Sequence, residues 1–175
     1  MLNIIIIAIS GKSGCGNTTV SKKVAERLNL KFINYTFRTM AEEKGISFKE
    51  IRKLAEESNT IDTDLDKTQV QMAKEGNCVL GSRLAIWMIA DATFKVYLKA
   101  SPKVRAMRIA GREGASLEDK IAETEDRDNK DSARYKKIYG IDTDKYDFAD
   151  LIIDTEINDV NKVVDLIIDG VESLQ

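Results

Sequence analysis

The sequence predicts an α/β fold in three layers, a five-stranded parallel sheet with helices on both faces. Two observations predict it. Five short apolar runs, at residues 3–9, 31–34, 78–80, 94–98 and 151–153, are separated by helical stretches. Strands buried on both faces read as continuous apolar runs, not as alternating ones. The second observation is the join between the first run and the first amphipathic stretch, a glycine-rich turn G-K-S-G-C-G-N-T-T at 11–19. Right-handed crossovers and a ligand site at the carboxyl ends of the strands follow from such a sheet.

The elements follow in order. After the turn, a helix over 18–29 carries Val20, Val24, Ala25 and Leu28 as its apolar stripe. The strand at 31–34 leads to helical segments at 37–44 and 47–57; Ser47 and Glu50 have capping-box spacing. A helix over 62–75 stops before Gly76, and the strand at 78–80 ends at Gly81-Ser82-Arg83. One helical turn is expected at 84–89, then the strand at 94–98. Ser101-Pro102 starts a helix that stops at Gly114, with serine as cap and proline in the first turn. Residues 116–138 are helical and dense in both charges, and 114–145 reads as a mobile lid outside the core. The last strand, 151–153, precedes a closing amphipathic helix over 159–174.

The turn has the chemistry of an anion site. Glycines at 11, 14 and 16 let the backbone curl and aim successive N–H groups at one anion. The positive end of the following helix adds to the same field. The pattern G-x-x-x-x-G-K-[ST] is met at Gly11, Gly16 and Thr18, but Asn17 stands where the lysine belongs. Lys12 is the substitute cation, its stem long enough to fold back over a bound phosphate. Some partition-type ATPases with such loops carry an additional lysine at this position. Two unit charges about 4 Å apart interact by roughly 4 kcal/mol at an effective dielectric near 20, so loss of the contact would cost powers of ten in rate. A purely structural βα unit is the competing reading of this stretch.

Composition narrows the function. The 175 residues make one domain, 43% hydrophobic and 32% charged, with a net charge of −2. That balance argues against a nucleic-acid or membrane surface. The apolar start is too short to span a membrane and lacks a basic flank, so a cytoplasmic protein is expected. Histidine is absent, which excludes histidine triads and most catalytic zinc sites. Phosphoryl transfer survives, because it relies on positioning, metal and cationic side chains. Cys15 and Cys78 match no zinc spacing, and Cys15 reads more readily as a small loop residue than as a reactive thiol.

Basic residues recur where strand ends or the lid would face the loop: Arg38, Arg83, Arg127 and Arg134, with Arg105, Arg108 and Arg112 on one helix face. The planar guanidinium fork suits phosphate. Four stretches then resemble the cytidylate (CMP) kinases, in their short archaeal-type form, over essentially the whole chain. They are Phe37-Arg38; Gly81-Ser82-Arg83-Leu84-Ala85 with Trp87; residues 104–109; and R-D-x-x-D-x-x-R from Arg127 through Asp131 to Arg134, the most specific of the four.

The resemblance implies a single domain over 1–175, with a core of 1–34, 76–113 and 146–175, an acceptor region at 35–75 and the lid at 114–145. It implies that Arg38 and Arg83 hold the acceptor phosphate, that Arg127 and Arg134 contact phosphates on lid closure, and that Asp131 binds the ribose hydroxyls. Arg108 would lie against the donor nucleotide, Thr18 would ligate Mg²⁺, and the loop Gly11, Lys12, Ser13, Gly14, Cys15, Gly16, Asn17, Thr18, Thr19 would cradle ATP. Lys12, Arg83, Arg127 and Arg134 would be the catalytic cations. Candidates for reading the base are Thr60, Asp62, Asp64 and Gln69, which a solvated helix face explains as well. The implied enzyme is a monomeric kinase for ATP with CMP or dCMP. Two other readings stand beside it: a P-loop kinase for another small molecule, and a nucleotide-binding protein whose catalysis went with the loop lysine.

Overall fold

A computed structural model describes residues 4–174, so the expected strand start at residue 3 lies outside the described residues. In chain order the elements are β1 (Ile6–Ser10), α1 (Asn17–Leu28), β2 (Lys31–Ile33), α2 (Phe37–Lys44), α3 (Phe48–Glu57), α4 (Thr60–Ala73), β3 (Cys78–Gly81), α5 (Ala85–Met88), β4 (Phe94–Lys99), α6 (Pro102–Glu113), α7 (Leu117–Tyr139), β5 (Leu151–Asp154) and α8 (Val160–Glu172). The five strands form one sheet in the order β2-β3-β1-β4-β5. Every pairing is parallel, with Ile7 opposite both Val79 and Phe94.

Alternation along the strands divides the core. Ile7 and Ile9 point to the face covered by α1 and α8, where they join Val24, Val96, Leu98 and Ile167. Ile6 and Ala8 point the other way, toward Ala73 of α4, Ile86 of α5 and Tyr97. Each fully buried aliphatic side chain there stabilises the fold by roughly 1.5–3 kcal/mol. A smaller cluster of Tyr35, Met40, Ala41, Ile51 and Ile61 holds α2, α3 and α4 together.

Capping sets the helix ends. Ser47 and Glu50 form the expected reciprocal box at α3. Ser101 caps α6 with Pro102 in its first turn, and Gly114 ends that helix in the left-handed region. The charged 114–145 segment carries the expected helix. It is mostly α7, capped by Ser116, and its inner face buries Thr124 and Tyr135. No helix among the described residues is long and apolar enough to cross a membrane.

Candidate active site

The glycine loop leaves β1 at the centre of the sheet and enters α1, so its amides face a groove at the carboxyl ends of β1 and β3. The Cys15 N–H donates to Lys12 O at 3.1 Å and closes the turn. Gly14 has φ +87°, and a Cβ there would lie 2.9 Å from Arg105 Cβ, so glycine is required on both counts. Gly81 permits a second close approach: a Cβ would meet Ser21 Oγ of α1 at 2.1 Å. The groove is lined by Gly11, Lys12, Ser13, Gly14, Gly16, Asn17, Thr18 and Thr19, together with Arg83, Arg108 and Arg112.

Two loop side chains are held by protein partners. The Lys12 ammonium donates to Asp144 at 2.8 Å, across 132 positions of sequence. The loop presents N–H donors, which do not attract a cation, whereas the carboxylate does. Asn17 lines the groove with its side chain tied to the loop's own backbone. Its Nδ2 donates to Gly11 O at 2.7 Å, bracing the start of the loop to its end, and its Oδ1 is buried without a partner among the described residues. Cys15 contributes backbone to the loop while its thiol is 3% exposed in the core. Burial pushes that thiol above its ordinary pKa despite the nearby Arg105 and Arg108, so the bland reading of Cys15 holds.

The arginines divide into three groups. Arg83, at the end of β3, donates to Asp131 at 2.5 Å, and Arg134 approaches the other oxygen of the same carboxylate at 3.1 Å. Arg134 also stands 3.5 Å from Asp62 of α4 and lies over the Tyr135 ring. Arg127 reaches Ser13 Oγ at 3.3 Å. Arg108 sits between the loop and the segment after β5, donating to Gly14 O at 3.2 Å and to Thr155 O at 2.6 Å. Arg38 does not join them. It is exposed on α2, 5.1 Å from the Phe48 ring centroid. Its helix belongs to the separate 35–75 cluster, and nothing draws the side chain inward.

Arg105 is the largest revision. Spacing placed it on one face with Arg108 and Arg112, yet it is 2% exposed. It donates to Ala100 O, to Ser13 O at 3.1 Å and to the Asp128 carboxylate at 2.5 Å. It therefore ties the loop, α6 and α7 together. The signal was present in the sequence: Arg105 falls in the stripe with Ala106, Ile109 and Ala110, the positions α6 buries. Asp128 lay inside the R-D-x-x-D motif with no role assigned. Asp144 had no sequence signal at all.

Of the base-reading candidates, Asp62 faces the arginine cluster. Burial raises its carboxyl pKa, opposed by Arg134. Gln69 is spent on Tyr35 O at 2.8 Å, Thr60 bonds Ser58 at the start of α4, and Asp64 lines a separate groove with Tyr35 and Glu43. Asp66, one turn beyond Asp62, accepts from Tyr139 of α7 at 2.6 Å, a contact spacing did not suggest.

A parallel sheet in this order, a glycine loop feeding a helix N-terminus, and arginines gathered at the strand ends define a P-loop phosphotransferase of the small-kinase type. Shikimate kinase from Bacteroides thetaiotaomicron has the same fold, with a TM-score of 0.66 over 97% of this chain and 99% of that one at 16% identity. The chain belongs to the cytidylate kinase-like family, whose model matches residues 6–157. It is 45% identical over 170 residues to cytidylate kinase 2 of Borreliella afzelii, covering 95% of this chain and 96% of that protein. It is 44% identical over 153 residues to the cytidylate kinase of Pyrococcus horikoshii, covering 86% and 80%.

Proposed function

We propose that this protein is an ATP-dependent cytidylate kinase, which moves the γ-phosphoryl group of ATP to CMP or dCMP and yields ADP with CDP or dCDP. One observation carries the reading. Arg83 lines the loop groove and pairs with Asp131 of α7, beside Arg134, so a donor triphosphate in the groove would lie next to the cations that can take an acceptor monophosphate.

The loop amides and the N-terminus of α1 hold the donor phosphates. Beside Arg108, a recess of Thr19, Val20, Val160 and Val163 offers an apolar surface for the donor base. Arg83 and Arg134 take the acceptor phosphate, exchanging the Asp131 carboxylate for it, and Asp131 is freed for the ribose hydroxyls. Arg127 and Lys12 face the transferring group. Arg38 enters by closure of the 35–75 region. The attacking oxygen is already anionic, so no general base is needed; catalysis lies in holding two mutually repelling nucleotides in line. Opening and closing of α7 admits substrate and then excludes water.

Thr18 is exposed at the groove and presents a hydroxyl to it. A lone hard oxygen fits Mg²⁺, which is held mainly by substrate phosphates and water. The ion, when bound, supplies charge neutralisation across the donor phosphates. The small negative net charge of −2 supports an enzyme that takes no nucleic acid, which we place in the cytoplasm as a monomer. A steady-state assay with ATP, Mg²⁺ and each nucleoside monophosphate tests the proposal. ADP formation is expected to depend on CMP; folded protein that makes none overturns the reading.

A further inference from the structure

Asn17 is committed to Gly11 O, which leaves Lys12 as the one cationic side chain within the loop. Its side chain lines the loop groove and also the wall shared with Trp87, Tyr97 and Thr143. There it meets Asp144 at 2.8 Å. The backbone that carries this carboxylate is held from both sides. The Asp144 N–H donates to Asp142 Oδ1 at 3.2 Å, and the preceding Thr143 hydroxyl pairs with Ser132 of α7 at 3.0 Å. Two residues further on, Tyr146 stacks on Tyr97 of β4, ring centroids 3.8 Å apart. Asp144 is thus anchored to the sheet and to α7 at once, independent of the loop it serves.

We propose that Asp144 is a positioning residue that keeps the Lys12 ammonium at the seam between the donor groove and the arginine cluster, where it acts on the transferring phosphoryl group and not on ground-state ATP binding. The proposal rests on the kinase reading above. A free lysine side chain carries roughly 2 kcal/mol of rotamer entropy, so an ammonium already held at the seam loses less freedom when the transition state forms there. The γ-phosphoryl group crosses from donor to acceptor as the bond to the leaving diphosphate breaks and the bond to the acceptor oxygen forms, so an ammonium at the seam faces the group in flight. Asp144 is 70% exposed and Lys12 32%, so the pair is weak enough to yield to a phosphate.

The test is a double-mutant cycle at saturating CMP with Asp144→Asn, Asp144→Glu, Lys12→Ala and the Lys12→Ala/Asp144→Asn double variant. Asp144→Asn is expected to lower kcat about fivefold, the upper end for an exposed pair, with KM for ATP changed by less than about twofold. Asp144→Glu is expected to restore most of the rate. In the Lys12→Ala background, Asp144→Asn should cost nothing further. An equal loss in both backgrounds overturns the proposal, as does a loss seen in KM alone, or a kcat that stays level or rises in Asp144→Asn. A wild-type protein with no CMP-dependent turnover refutes the kinase reading instead. The cycle is then read on basal ATP hydrolysis, where a loss confined to the Lys12 background supports the role of Asp144 and an equal loss in both overturns it.

Discussion

Replacing Arg105 with methionine should be the most damaging single change near the loop, and the structure sets its size. Arg105 is 2% exposed and donates four hydrogen bonds: to Ala100 O, to Ser13 O and twice to the Asp128 carboxylate. Methionine keeps much of the stem volume, so the cavity contribution is small. What is lost is the charge and every donor. Removing one partner of a buried pair costs about 3–5 kcal/mol, because the other is left uncompensated. The Asp128 side chain is 15% exposed and regains some water, which places the expected loss at the lower end, about 3–4 kcal/mol. That is a large share of the roughly 5–15 kcal/mol of a typical domain. Urea unfolding, followed by circular dichroism and extrapolated linearly, measures it. Pairing Arg105→Met with Asp128→Leu removes both charges and should recover much of the stability. A loss below about 1 kcal/mol in the single variant would refute the reasoning. So would a double variant that falls as far as the sum of the two singles.

Gly14→Ala should abolish magnesium-nucleotide binding measured by calorimetry, since a Cβ meets the Arg105 backbone and side chain at 2.9 Å and φ is +87°; ordinary affinity in that variant would show that the loop tolerates a different path. A pH effect is expected at Tyr35, whose hydroxyl donates to Glu43 at 2.6 Å. The Glu43 hydrogen bond, ahead of burial, pushes the phenol from 10 up to about 12. A raised pKa means that this stability is whole below pH 10 and is lost as pH rises through about 12. The stability gap between wild type and Tyr35→Phe, read by urea unfolding across that range, should therefore shrink on the alkaline side; a constant gap would contradict the assignment.

The sheet was legible because its evidence is local. Ile6–Ser10 is a run without a charge, Ser47 and Glu50 sit three apart, and Ser101-Pro102 announces a helix from neighbouring residues alone. The same holds for the loop, where glycine spacing and the following helix specify an anion site from one contiguous stretch. The three-dimensional pairing of charges was not legible in the same way. Arg105 looked like a groove residue at i, i+3, i+7, but packing put it in the buried stripe and gave it to Asp128.

Backbone propensity and short-range hydrophobic period therefore settled the strands, the caps and the phosphate loop, since each depends on residues within a turn or two. The partners of Lys12, Asn17, Arg83 and Arg38 depended on where distant segments came to rest. A cation on a flexible stem goes to whichever carboxylate or ring the folded chain brings within reach, and contact across 132 positions has no periodic trace in the sequence.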